Sequence, residues 1–278
     1  MGAVNGRRRI GRWVFWLFLA IGAMAMVLPF YWMVLTSLKS KSEIVRIPPS
    51  FFPQSLTLGN YAEAWERLDF PILLRNSAFL AFTMTVTILF SSSLVGYVFA
   101  KIEFPGRELL FVVILSSMMI PFNVVMIPLF LLIVKLHWAN TYWGIIIPGI
   151  FSSFGIFLMR QVMGTIPDEL LDAARIDGAS EFRIFGSVAL PLSTSPLAAL
   201  GTLTFMGQWD AFLWPLIVLT RGDLFTLPVG LALFNNRFYT EYGPLLAGAT
   251  ISVIPILIVF LFAQRLFIES VALQGMKL

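Results

Sequence analysis

Residues 166–191 read I-P-D-E-L-L-D-A-A-R-I-D-G-A-S-E-F-R-I-F-G-S-V-A-L-P. Within them Asp168, Glu169, Asp172, Arg175, Asp177, Glu181 and Arg183 crowd charge into the interior of a chain that is otherwise mostly apolar. A central charge in hydrocarbon costs roughly 3 kcal/mol or more, so this segment belongs in water or against another protein. Its local chemistry predicts two short helices around a glycine. Pro167 suits a first helical position, and Asp168 and Glu169 follow where the helix dipole favours negative charge. Asp168, Asp172 and Arg175 share one helical face, and Leu170, Leu171, Ala173 and Ala174 form the other. Gly178 suits the left-handed residue that ends a helix, and Ser180 an N-cap for the next. Phe182, Phe185 and Val188 are the expected apolar stripe of that second helix. Leu190-Pro191 is expected to break it.

On either side the chain turns apolar. Over 278 residues it is 58% hydrophobic and only 12% charged, with a mean hydropathy of +0.86. Soluble domains carry about 25% charge, so the composition reads as a polytopic membrane protein. A spanning helix needs about 20 apolar residues. Six stretches qualify: 13–35, 72–100, 108–134, 141–159, 196–219 and 243–264. The first continues past the cleavage-like Ala23-Met24-Ala25 for too long to be a signal peptide, and Pro29 is expected to kink it. The fourth is expected to bend at Pro148-Gly149. Pro121 and Pro128, seven apart in the third, are expected on one side of a single helix, each freeing a carbonyl that neighbouring helices must satisfy.

Several chemistries are excluded. The chain has no cysteine and one histidine, His137, so disulfides, thiolate catalysis and a histidine-based metal centre find no residues. The pair Gly-Lys is absent, so there is no P-loop; if ATP is used, another subunit binds it. A net charge of +4, with no dense basic run beyond Arg7–Arg9 and Arg12, argues against nucleic acid. That cluster reads as a positive-inside anchor. Six spans would put both termini on one side. Basic residues modestly favour the cytoplasm for that side, although Lys39, Lys41, Arg46 and Arg67 in the first connector pull the other way.

The order Asp172-Ala173-Ala174, Gly178, Val188-x-Leu190-Pro191 resembles the EAA loop of ABC importer permeases. That pattern is E-A-A, three residues, G, nine residues, I-x-L-P; aspartate replaces glutamate and valine replaces isoleucine. Met119–Pro128 is similar to the M-I-P-x-Q…I-P-L-F run of carbohydrate permeases, with Asn123 where glutamine is usual. The connector after the first span and the ending Gln274–Leu278 also look like that group. The resemblance, to the maltose and glycerol-3-phosphate permease group, implies an all-α, six-helix permease domain over 1–278 with a cytoplasmic coupling loop at 163–191. It implies a bacterial or archaeal cytoplasmic membrane. It also implies an ATP-binding subunit dimer, a second homologous permease, an extracytoplasmic solute-binding protein and a carbohydrate cargo, with membrane lipid around the spans. It further implies no cofactor in this chain, because the partner holds ATP, and no covalent chemistry.

For coupling, Asp172, Ala173, Ala174, Gly178, Leu190 and Pro191 match the motif. The alanines permit close approach, Gly178 sets the angle between the helices, and Asp172 can pair with a basic partner group. For cargo, Asp210 is the one ionisable residue near the middle of any expected span, where charge marks either function or a structural partner. The family's W-N-x-F/Y-L-W-P usually has an amide there. Asn123 and Gln208 offer amides to sugar hydroxyls; Trp209 offers a stacking face, with helix packing the competing reading for Trp209 and Trp214. Two alternatives stand beside a carbohydrate importer: an ABC permease for phosphorylated polyols or another solute, and an ion-gradient-driven transporter with Asp210 as proton relay. A membrane enzyme fails for want of paired intramembrane acid/base groups.

Overall fold

The structure, a computed structural model, describes the backbone of residues 2–235 and 240–275 and the side-chain surroundings of 12–235, 240–262 and 264. The Arg7–Arg9 side chains and the last three residues of the chain therefore lie outside the described residues. Helices account for almost all regular structure, as a bilayer requires, because a helix satisfies its backbone polar groups within itself. Four helical stretches are long and apolar enough to cross a membrane: Arg12–Ser37, Phe70–Lys101, Trp143–Gly164 and Tyr242–Phe262. Two bent pairs, Arg107–Ser117 with Phe122–Lys135 and Glu181–Leu192 with Thr194–Trp209, make six crossings if each pair is one span.

The described chain packs as two compact units. One comprises residues 71–230 and 254–278. Its central element is the helix Phe70–Lys101, long enough to cross the hydrocarbon layer with turns to spare. Leu80, Met84 and Ile88 on this helix pack with Ile133, Ile145, Ile146, Val218 and Leu219. Further along it, Tyr97 joins a second core with Met159, Met163, Ile166, Leu171, Ile184 and Phe185. The approach is close: a Cβ at Gly96 would lie 2.6 Å from Met159 Cβ and 2.9 Å from the Arg160 nitrogen.

The breaks correct several expectations. The third stretch is not one helix: it turns by 97° between Ser117 and Phe122. Pro121 is the N-cap of the second half and only Pro128 is inside a helix, so the two prolines do not line one helical face. The fourth is interrupted at residues 150–152, just after Pro148-Gly149. There Ser91, from the central helix, donates to the Ile150 carbonyl at 2.7 Å. That is how a neighbouring helix satisfies a freed group. The fifth runs as Thr194–Trp209, breaks at 210–212 and resumes as Leu213–Val218. Pro215 lies in the resumed segment and has no N–H to offer the Ala211 carbonyl across the break.

The other unit comprises residues 1–70 and 231–253. After Ser37 the chain forms the short helices Lys41–Ile44 and Gly59–Arg67. Asn60 is buried and its amide donates to the carbonyls of Ser37 and Lys39, both at 2.8 Å. Tyr61 and Ser37 share a hydroxyl–hydroxyl bond of 2.7 Å.

Candidate functional site

The polar segment folds as expected at its centre and differently at its exit. Asp168–Ile176 is a helix with Pro167 as its N-cap. It ends in a Schellman motif. The Gly178 N–H donates to the Arg175 carbonyl and the Ala179 N–H to the Ala174 carbonyl, both at 3.0 Å. Gly178 has a left-handed backbone, φ +81°, with open space around its Cα. Backbone conformation and not crowding therefore selects glycine there. Ser180 has an N-cap backbone, yet its side chain makes no capping bond.

The exit departs from the expected stripe. Residues Phe185–Ala189 form a π turn, and Leu190 and Pro191 continue the helix through it. The buried face is accordingly Ile184, Phe185 and Ala189, while Phe182 is exposed and Val188 half-buried. The extra residue in the π turn rotates the face inward. The break comes at Ser193, with an 82° turn into Thr194–Trp209. Buried Ser193 donates to the Ala189 carbonyl at 2.8 Å across the turn.

This knuckle is clamped to the core at three points. Leu171 is fully buried beneath it. Lys101, at the end of the central helix, donates to the Ile166 carbonyl and to the Asp168 carboxylate, each at 2.6 Å. Tyr97 donates to Glu181 at 2.8 Å. Glu181 in turn accepts from Arg175 at 2.7 Å, and Arg175 also donates to Asp172 at 2.7 Å. The hydrogen bond from Lys101 holds the Asp168 carboxyl below its usual range. Glu181 and then Asp172 push the Arg175 guanidinium further toward its charged form.

Asp172, Ala173 and Gly178 are exposed together on the free side and Ala174 is half-buried. Asp172 already has an internal cation, so it is not an unmatched charge awaiting one. Leu190 and Pro191 stand apart from that face. Leu190 lines an apolar groove of about 640 Å³ with Leu89, Phe90, Leu197 and Gly201.

The expected cargo residues separate. Gln208 lines a cavity of about 240 Å³ with Phe122, Met84, Pro148 and Trp214. Phe122 meets the Trp214 ring edge-on at 5.6 Å, and Trp214 Nε1 donates to the Gly144 carbonyl at 3.2 Å, so Trp214 is a packed wall. Trp209 is buried and stacks on Phe205 at 5.8 Å. Asp210 is exposed at the helix end, where it is the C-cap. Asn123 is exposed on the first turn after the 97° bend. Tyr97, Lys101 and Glu181 were not singled out in the sequence. Their only signal was placement: a tyrosine and a lysine closing the second apolar run, and one acid among many in the polar segment.

Residues 92–272 match the family described as binding-protein-dependent transport system inner membrane component. The arabinooligosaccharides transport system permease protein AraQ of Halalkalibacterium halodurans is 38% identical over 268 residues, covering 95% of this chain and 96% of that protein. The lactose transport system permease protein LacG of Rhizobium radiobacter is 35% identical, covering 95% and 96%. The crystal structure of a bacterial ABC transporter involved in the import of the acidic polysaccharide alginate matches with a TM-score of 0.81 and 25% identity, over 92% of this chain and 96% of that one. These relatives are transport permeases, in keeping with the expected lack of covalent chemistry. With its apolar helices, its polar knuckle and these matches, the chain belongs to the family of inner-membrane components of binding-protein-dependent transport systems, the multi-pass permeases of ABC importers.

Proposed function

We propose that this permease carries a carbohydrate, and that its knuckle is the handle through which a separate ATP-binding subunit dimer drives it. The observation that carries the reading is the mounting of Asp168–Ile176. Its inner side is fixed by Leu171, Lys101 and Tyr97, and its outer side offers Asp172, Ala173 and Gly178. A rigid element held this way transmits displacement to the central helix instead of absorbing it. In this reading both termini and residues 163–191 face the cytoplasm. A second homologous permease completes the pathway and a binding protein delivers cargo from outside. ATP is bound by the partner, since this chain has no P-loop.

Support for the cargo class comes from relatives named for arabinooligosaccharides and lactose. A relative named for sn-glycerol-3-phosphate, from Pectobacterium atrosepticum at 32% identity, keeps a phosphorylated polyol as the second reading. Gln208 and Asp210, beside the helix break at 210–212, are the proposed cargo-facing groups, with Asn123 at the other break; Trp209 is a packing residue. An ion-driven relay is not favoured. Asp210 is the C-cap at the exposed end of its helix, and the relatives are ABC-type sugar permeases.

The test is Gly178→Leu in the assembled transporter. The left-handed backbone at Gly178 strains any side chain placed there. The cost is about 1–2 kcal/mol, which tilts the knuckle without touching the core. ATP hydrolysis is expected to continue while uptake falls at least about tenfold, a change of roughly 1.4 kcal/mol. Uptake at the wild-type rate, with ATPase and permease still copurifying, overturns the coupling role.

A further inference from the structure

The connector after the first span is inside out. Lys39 is only 2% exposed and Glu43 only 6%, whereas Ile47 is 93% exposed, Leu56 76% and Phe52 70%. Val45, Phe51 and Leu58 are exposed as well. In water the reverse is expected, since burying charge is costly and exposing a row of large apolar side chains forfeits their hydrophobic gain.

The inward charges hold the loop in this state. Lys39 donates its ammonium to the Ser50 carbonyl and lies 4.6 Å from the Trp32 ring centroid. Glu43 Oε1 accepts from Ser50 Oγ at 2.6 Å and from the Gln54 N–H at 2.9 Å. The middle of the loop, at Ser50 and Gln54, is thereby tied back to the charges that precede it, and the apolar side chains have only the outside left.

We propose that residues 45–58 lie in the interfacial layer of the bilayer at the level where the first span ends, and that they act as a lipid anchor. Three observations favour lipid over a protein partner. The loop begins shortly after Ser37, the end of a helix whose mean hydropathy of 2.1 already assigns it to hydrocarbon. Pro48, Pro49 and Pro53 have no N–H, so the loop brings fewer unsatisfied donors into a water-poor layer. Exposed Arg46 stands within the apolar row, between Val45 and Ile47, where a lipid phosphate complements it. The proposal rests on the first span crossing the membrane, and the experiment separates the two.

The chain has no native cysteine, so single cysteines can be spin-labelled at Ile47, Phe52 and Leu56, at Lys41, and at Met24 within the first span. The assembled transporter is measured in phosphatidylethanolamine/phosphatidylglycerol nanodiscs with oxygen and a water-soluble nickel chelate as relaxants. Labels at 47, 52 and 56 are expected to be several-fold more accessible to oxygen than to nickel, and the label at 41 the reverse. Nickel access at 47, 52 and 56 with Met24 shielded means a solvated loop and ends the proposal. Shielding of those three from both relaxants means a protein partner covers them and ends it equally. Nickel access at Met24 would instead defeat the first span itself.

Discussion

Asp168 is an exposed carboxylate held to one lysine, and Lys101 is a buried cation whose other bond is to a main-chain carbonyl. The pair works in one direction of pH. The folded carboxyl lies below its usual value because Lys101 donates to it. Its contribution is therefore complete above the ordinary aspartate range, near about 4, and is lost as pH falls through the lowered folded value. The knuckle is expected to stay clamped at pH 5 and to loosen on stronger acidification. The readout is the labelling rate of a cysteine placed at half-buried Ala174, which packs against the core beneath the knuckle. Asp168→Asn should raise that rate at pH 7 and flatten its pH dependence; an identical profile in the variant counts against the clamp. Asp172 carries the opposite lesson. The resemblance made it a ready partner for an outside cation, but its spacing to Arg175, three residues on, had already supplied an inside one.

Elements meet closely where the central helix has small or hydroxyl residues. A methyl at Gly96 has no room against Met159 and the Arg160 backbone. Gly96→Ala is therefore expected to cost about 1–3 kcal/mol. Thermal unfolding in detergent is the measurement, and a midpoint equal to wild type would mean the helices are further apart than described. Ser91→Ala removes the side-chain donor to the Ile150 carbonyl at the break in the fourth stretch. An unmet buried acceptor costs about 1–3 kcal/mol, so a lower midpoint is expected here too, with wild-type stability as the opposing result. Both residues sit in an apolar run whose length was plain from the sequence. Their partners were not, because hydropathy records what a residue prefers and not which neighbour it faces. The same limit hid the breaks at Ser193 and at 210–212. Leu190-Pro191 looked like the stop, but the π turn carried the helix on to Leu192, and the break comes at Ser193, two residues after the proline.

For the molecule as a whole, the permease reading predicts dependence on a motor the chain does not contain. In proteoliposomes holding the complete transporter, uptake is expected to fall to background when ATP is withdrawn and to persist when the proton gradient is collapsed. Uptake that follows the gradient instead would revive the proton-relay reading of Asp210. Both compact units bear on that assay. The unit of residues 71–230 and 254–278 carries the knuckle and the Gln208 cavity, and the unit of residues 1–70 and 231–253 carries the inside-out connector.

From the chain of letters alone came the helical class, the apolar stretches, the polar knuckle with its glycine and the family. Each is a local matter: hydrocarbon forces backbone polar groups to pair within a helix, charge is expelled from it, and a left-handed turn selects glycine. Tertiary structure alone decided where the third and fifth stretches break and which side chains clamp the knuckle. It also turned Trp209 inward and Asp210 outward, and it set the connector's charges inside its apolar groups. Those outcomes depend on bonds between residues several to tens of positions apart, such as Glu43 with Ser50, Lys101 with Asp168 and Ser91 with Ile150. No local preference encodes such pairings; they exist only once the helices have met.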